Sequence, residues 1–199
     1  MARIAVDCDG VLARFEKAFF EKANSIWPGK CDPNYRPTAW DDFPPLTKAE
    51  LNQVWAKIKA TPNFWLSVDA YTDNVGALAQ FLQTTTGHDI WIVTSRARTA
   101  GHTVAYQTLR WLYECGIRPG INYLGVVPVD DSTKKADVYS AMEIEFSVDD
   151  KTETVEQCDK LPNHTAFLLD REWNQDAKVK HRIPNLEAYF EHIKGTQSG

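Results

Sequence analysis

The sequence predicts an α/β fold: a Rossmann-like, mostly parallel sheet with flanking helices and a small helical cap inserted after the first strand. Three observations carry this expectation. Short apolar runs alternate with helical patterns from residue 73 to the end. Polar, chemically capable side chains follow several of those runs. The stretch 13–70 breaks the alternation with helices and a loop rich in proline and aromatics.

The elements follow in order. Arg3-Ile4-Ala5-Val6 is a short apolar run ending at Asp7 and reads as a buried strand. Residues 13–26 place Phe15, Phe19, Ala23 and Ile26 at helical spacing. The aromatic loop runs from Trp27 to Pro45. Thr47 with Glu50 three residues later predicts a capping box, on a helix reaching about Lys59. Asp73 is expected to cap the next helix, through Val75, Leu78, Ala79, Phe81 and Leu82. Strand Asp89–Thr94, helix Gly101–Cys115 ending at Gly116, strand Asn122–Val127 and helix Thr133–Met142 come next. Strand Glu143–Val148, a helix to about Cys158, strand Thr165–Leu169 and a last helix Asn185–Ile193 opened by Pro184 complete the chain, with a frayed tail. The pattern implies right-handed βαβ units, a core of 1–12 and 71–199, and a cap of 13–70.

Composition bounds the function. The 199 residues, 43% hydrophobic and 25% charged, suit one compact domain. The net charge of −5 argues against a partner that is a long nucleic acid. The four cysteines form no C-x-x-C pair, and the opening apolar run is too short for a leader or a membrane span. These features predict a soluble protein of the reducing cytoplasm with no membrane partner; they leave the oligomeric state open. No G-x-G-x-x-G, Walker A or G-x-S-x-G motif occurs.

The polar residues at the strand ends point to one chemistry. Asp7 and Asp9 follow the first strand, Thr94 and Ser95 another, and Asp149 and Asp150 another. Lys134 and Lys135 follow a fourth after a short loop. In an open parallel sheet the carboxyl ends of the strands share a crevice, so these residues can converge across the chain. Acids that hold Mg²⁺ through oxygen, a lysine and a hydroxyl fit metal-assisted phosphoryl transfer. An anionic phosphate approaches an anionic nucleophile only when cations screen it.

The order and spacing of these motifs resemble the haloacid dehalogenase-like phosphatase superfamily. Asp7-Cys8-Asp9-Gly10-Val11 is similar to its first motif, Val93-Thr94-Ser95 to its second, Lys135 to its third and Asp149-Asp150 to its fourth. Within that superfamily the chain looks most like the 5'(3')-deoxyribonucleotidases and their bacterial and phage relatives. Asn63-Phe64-Trp65-Leu66 and the segment Phe167–Asn174 carry that likeness, with Glu172 where those relatives tend to have proline. The resemblance implies that Asp7 is the nucleophile and forms an aspartyl-phosphate, and that Asp9 is the general acid and base. It implies that Thr94 and Lys135 hold the phosphoryl group. It also implies that Asp7, Asp149, Asp150 and the Asp9 carbonyl hold Mg²⁺. The substrate it implies is a nucleoside monophosphate.

Each motif taken alone has a plainer reading: Asp7 and Asp9 as turn residues, Asp149-Asp150 as a helix cap, Thr94-Ser95 as a strand end, one of the two lysines as a solvated charge. The five histidines show no ligand spacing, and the cysteines read as structural. Phe15, Phe19, Trp40, Phe43, Phe64 and Trp65 read mostly as core. Phe15 first and Trp65 second are the candidates to stack on a base. Ser95 and Arg96 are candidate contacts to phosphate or base, and a surface role for Arg96 is the alternative. Besides the nucleotidase, a phosphatase for a sugar phosphate or a nucleic-acid end and a non-catalytic phosphate-binding relative are the competing functions.

Overall fold

The computed structural model describes residues 2–32, 46–84, 87–121 and 123–196. Most of the aromatic loop, including Trp40 and Phe43, the expected strand start at Asn122 and the last three tail residues lie outside the described residues.

Six strands form one sheet in which every pairing is parallel. They are β1 (Arg3–Val6), β2 (Asp89–Thr94), β3 (Gly125–Pro128), β4 (Phe146–Asp149), β5 (Thr165–Leu169) and β6 (Arg182–Ile183), in the order β3-β2-β1-β4-β5-β6. Period-two patterning sorts their side chains onto two faces. Ile4 and Val6, Ile90 and Ile92, Phe167 and Leu169 enter one core. Ala5, Val93, Ala166 and Leu168 enter the other. Helices α3 (Thr72–Thr84), α4 (Val104–Glu114) and α7 (Leu186–Thr196) supply the first core through Leu78, Phe81, Trp111, Leu112, Tyr189 and Phe190. Phe81 and Phe190 stack at 4.2 Å between α3 and α7. Helices α5 (Lys135–Ala141) and α6 (Thr152–Cys158) cover the second core with Tyr139, Val155 and Cys158.

The strand order reverses at β1. Chain leaving β1 returns to the β2 side, and chain leaving β3 crosses to β4 on the other side. A crevice therefore opens at the carboxyl ends of β1 and β4, where an open α/β sheet binds its ligands.

The insertion leaves the core just there. Leu12 and Tyr71 lie at its two ends, with Ala13 bridging Ala70 in antiparallel fashion. Tyr71 N–H donates to the Leu12 carbonyl at 2.8 Å, and Arg14 N–H donates to the Asp69 carbonyl at 2.7 Å. Between these ends α1 (Phe15–Ile26) packs against α2 (Lys48–Ala60), and a short 3₁₀ turn follows at Phe64–Ser67. Thr47 and Glu50 form the reciprocal capping box at the start of α2, worth about 1 kcal/mol.

Several boundaries differ from expectation for local reasons. α3 begins at Thr72, so Asp73 sits in its first turn instead of capping it. α4 begins only at Val104, because Gly101 has φ +92° and Thr103 caps the Tyr106 N–H. β3 begins at Gly125, since Gly120 and Tyr123 close a turn just before it. Glu143 adopts φ +52° after α5, which delays β4 to Phe146. Asn185 accepts from Ala188 N–H, so α7 starts at Leu186. The two-residue β6 has too little sequence to show a period. Among the described residues no helix is long and apolar enough to cross a membrane.

Candidate active site

The site is assembled from the carboxyl end of β1 outward. Asp7 follows Val6 and is 5% exposed. One carboxylate oxygen, Oδ1, accepts from its neighbour Cys8 N–H at 2.7 Å and forms an ion pair with Lys135 Nζ at 2.8 Å. The other oxygen, Oδ2, accepts no hydrogen bond from the described residues and stays open to a reacting atom. After Asp7 the chain turns sharply. Leu12 and Ala13 N–H groups both donate to the Cys8 carbonyl, and Gly10 adopts φ +78°. A Cβ at Gly10 would lie 2.1 Å from Asp150 Oδ2, so both the left-handed backbone and the approach of that carboxylate require glycine.

Lys135, at the start of α5, is 2% exposed and bridges the two strands. Its ammonium touches Asp7 at 2.8 Å and Asp149 Oδ2 at 2.7 Å. Burial works against this charge, but Asp149 and Asp7 outweigh it and hold the ammonium well above its ordinary pKa. Lys134 is exposed, so of the two candidate lysines the structure brings Lys135 into the cluster. Asp149 Oδ1 caps the Lys151 N–H at 2.8 Å. Asp150 Oδ2 accepts from the Trp173 indole at 3.0 Å, and Asn174 donates to the Asp150 carbonyl at 2.8 Å. The segment Arg171–Asn174 therefore holds Asp150 in place.

Asp7, Asp149 and Asp150 offer carboxylate oxygens that all lie within 4.8 Å of one another. One ammonium faces three buried acids, so the cluster is short of positive charge. Burial first, then Asp149 and Asp7, push the Asp150 carboxyl well above the carboxylate range. Burial pushes Asp7 up to about 7, against the pull of Lys135. The donors are all oxygen and the deficit is of charge, which fits a hard divalent cation.

A stability prediction follows. The Asp7 pKa is raised by folding, so its contribution to stability is complete below the unfolded value, about 4, and is lost as pH rises through about 7. Asp150 is shifted the same way. A cation that neutralises the ionised acids acts most where they are ionised. Millimolar Mg²⁺ is expected to raise Tm at pH 8 by several degrees and at pH 5 by little, read by thermal melts. Equal shifts at both pH values would show that the acids are not its ligands.

Asp9 stands apart from this cluster. Its carboxylate is gripped by Arg96, with Nε 2.9 Å from Oδ2 and Nη2 2.8 Å from Oδ1. The Arg96 side chain is fully buried, donates to Thr108 at 3.1 Å and lies over the rings of Trp65 and Trp111. Arg96 thus orients Asp9 and is neither a surface group nor a lining residue of the cavity. Thr94 is completely buried and its Oγ1 has no hydrogen-bond partner, an orphaned hydroxyl beside the acids' strands.

A cavity of about 190 Å³ opens over these groups. Asp7, Asp9, Lys135, Asp149 and Asp150 form its polar floor, with Ser95 alongside. Its other wall is aromatic: Phe15, Trp55 and Trp65. Phe15 and Trp65 are almost fully buried, and Phe15 packs on Trp55 at 5.5 Å and on Trp65 at 5.4 Å. Trp55 is the half-buried ring of the three. Sequence reasoning missed it, together with Ser132, Lys151 and Thr154, which also line the cavity. Trp55 shares a helix with no motif, and only the return of α2 to the strand ends brings it to the cavity.

No family model and no curated protein matches the sequence significantly. Solved structures do match over nearly the whole chain. A haloacid dehalogenase-like hydrolase from Streptococcus pneumoniae superposes with a TM-score of 0.64 at 9% identity, covering 97% of this chain and 98% of that one. The L-2-haloacid dehalogenase of Xanthobacter autotrophicus with chloropropionic acid covalently bound gives 0.61 at 12%, covering 98% and 99%. A candidate β-phosphoglucomutase from Thermotoga maritima gives 0.58 at 14%, covering 98% and 99%. At such identities the likeness concerns the fold, and by that measure the chain has the haloacid dehalogenase-like α/β fold.

Proposed function

We propose that the protein is a Mg²⁺-dependent phosphomonoesterase working through an aspartyl-phosphate on Asp7, with a nucleotide as substrate. The observation that supports this best is the juxtaposition of an open Asp7 oxygen, a buried Lys135 and two further acids at the β1–β4 switch point. Asp7, Asp149 and Asp150 would hold the metal, which supplies charge neutralisation for the phosphoryl oxygens.

The chain's own residues divide the remaining work. Asp7 Oδ2 attacks phosphorus, the bond from phosphorus to the ester oxygen breaks, and Asp9 gives that oxygen its proton. Water then attacks the phosphoenzyme, Asp9 takes its proton, and inorganic phosphate leaves with Asp7 restored. Lys135 and the Thr94 hydroxyl meet the phosphoryl oxygens. Arg96 keeps Asp9 aimed at the cavity. The insertion 13–70 acts as the cap that excludes water, hinged at the Ala13–Ala70 bridge.

The aromatic wall favours a flat leaving group, with Trp55 as its platform. Trp55→Ala is expected to raise KM for nucleotides about tenfold, the loss of one stacked base. The same change should leave para-nitrophenyl phosphate within about twofold of wild type, because that small ester draws its binding from the phosphate site. An equal effect on both esters would make Trp55 a packing residue only.

The deciding assay is phosphate release from nucleoside monophosphates, sugar phosphates and para-nitrophenyl phosphate, with Mg²⁺ and with chelator. Release that needs Mg²⁺ and favours nucleotides is expected. Undiminished release in chelator would overturn the metal role. Halide release from 2-chloropropionate with no phosphate release from any ester would overturn the phosphatase reading.

A further inference from the structure

The charge of this acidic chain is unevenly spread. Between Glu50 and Asp69, and again between Asp89 and Glu114, the sequence contains no acidic side chain, while Lys57, Lys59, Arg96, Arg98 and Arg110 fall inside those stretches. The fold brings the two stretches together. Asn63 N–H donates to the Ala100 carbonyl at 2.8 Å, Ala100 N–H to the Lys59 carbonyl at 2.8 Å, and His102 N–H to the Asn63 side chain at 2.8 Å. Arg96 is consumed by Asp9, but Lys57, Lys59, Arg98, His102, Tyr106 and Arg110 are all exposed. Among the described residues Lys59 and Arg98 have no carboxylate partner; Arg110 pairs with Glu114 at 2.8 Å, and Lys57, two residues from Lys59 on the helix, projects from the other flank of the buried Val54–Ile58 stripe.

This basic surface begins at the cavity. Lys59 follows the cavity-lining Trp55 by four residues on α2, so the two share a helix face. Arg98 lies three residues beyond Ser95, which also lines the cavity. Further along, Tyr106 is 48% exposed, with its ring packed against His102 at 4.2 Å. Cations that lead away from a phosphate site, with an exposed ring among them, match a strand of phosphates and bases.

We propose that this acid-free surface holds single-stranded nucleic acid, and that the substrate is the terminal phosphate of such a strand, its last nucleotide in the cavity and the adjoining phosphates on Lys59 and Arg98. The proposal rests on the phosphatase reading above and narrows its substrate class. It also sets local charge against the net charge, which by itself argues for no long nucleic acid. A free nucleoside monophosphate uses neither of these cations; a strand uses both.

The test uses the full chain and the variant Lys59→Gln/Arg98→Gln, whose two side chains are exposed. Binding of a fluorescein-labelled single-stranded oligonucleotide without terminal phosphate is followed by anisotropy across a salt series, so no turnover is needed. The wild type is expected to bind, and the variant to lose about 1.4 from the slope of log K against log salt. In turnover, KM for a phosphate-terminated oligonucleotide should rise at least about tenfold in the variant, while para-nitrophenyl phosphate is hydrolysed as before. Unchanged binding and unchanged oligonucleotide KM in the variant would overturn the proposal. So would a better kcat/KM for nucleoside monophosphates or for phosphopeptides than for the oligonucleotide. Failure to hydrolyse any ester, with oligonucleotide binding intact, would instead overturn the phosphatase reading and leave the surface assigned.

Discussion

Asp7→Asn is expected to remove turnover, lowering kcat on the order of 10⁴-fold or more, because an amide oxygen does not form the phosphoenzyme. The structure separates this loss from unfolding. Burial disfavours the Asp7 charge enough to push its carboxyl up to about 7, so at pH 8 the folded protein carries an ionised acid that its surroundings resist. The amide has no such charge, and Lys135 keeps Asp149 at 2.7 Å. The variant should therefore melt at or above the wild-type temperature in metal-free buffer at pH 8, while releasing no phosphate. Acid-quenched wild type incubated with a phosphate ester should carry one phosphoryl group on the peptide containing Asp7, and the variant none. A variant within tenfold of wild-type kcat would remove Asp7 from the nucleophile's role.

Much of this site was legible in the sequence because it is built from strand ends. A strand that stops at a polar residue in a parallel sheet has only one edge to deliver it to, so the convergence of Asp7, Asp149 and Asp150 is readable from the order of residues, whereas Thr94, placed with them by the same reasoning, is buried and not among the residues lining the cavity. Lys135 was separable from Lys134 only through the family resemblance, not through the residues themselves. The partners of these groups were not legible. Nothing in the order of residues says that Arg96 turns inward to fork Asp9, or that the Trp173 indole reaches Asp150 Oδ2. Those contacts depend on side-chain direction at loop positions, where no period fixes a face. The aromatic wall failed for the same reason in reverse. Phe15 and Trp65 were singled out by nearness to motifs, yet their rings are largely enclosed by one another and by Trp55. The half-buried ring comes from the middle of α2, whose position over the site depends on how the insertion folds back.

The largest effect on stability is expected from Lys135→Met. The wild-type ammonium lies buried between Asp7 and Asp149, and methionine fills similar space without charge. Two carboxylates then face each other with no cation between them. Removing one member of a buried ion pair costs about 3–5 kcal/mol, a fall in Tm of about 10 °C for a chain of this size. The cost has a pH signature. With Lys135 gone, the pull that lowers the Asp7 pKa is gone too, so its carboxyl moves further up and stays neutral over a wider range. The penalty should be small near pH 5, where the acid is protonated, and large at pH 8. Millimolar Mg²⁺ should recover most of the lost Tm at pH 8, since a divalent cation can take over the neutralisation. It should not recover kcat, because the phosphoryl group has still lost its ammonium. Pairing Lys135→Met with Asp149→Asn should cost less than the sum of the two single changes, as the second removes a charge that the first left unmatched. Melts that show the same loss at pH 5 and pH 8, with additive single variants, would mean that Lys135 acts through packing alone and that the charge balance of the site lies elsewhere.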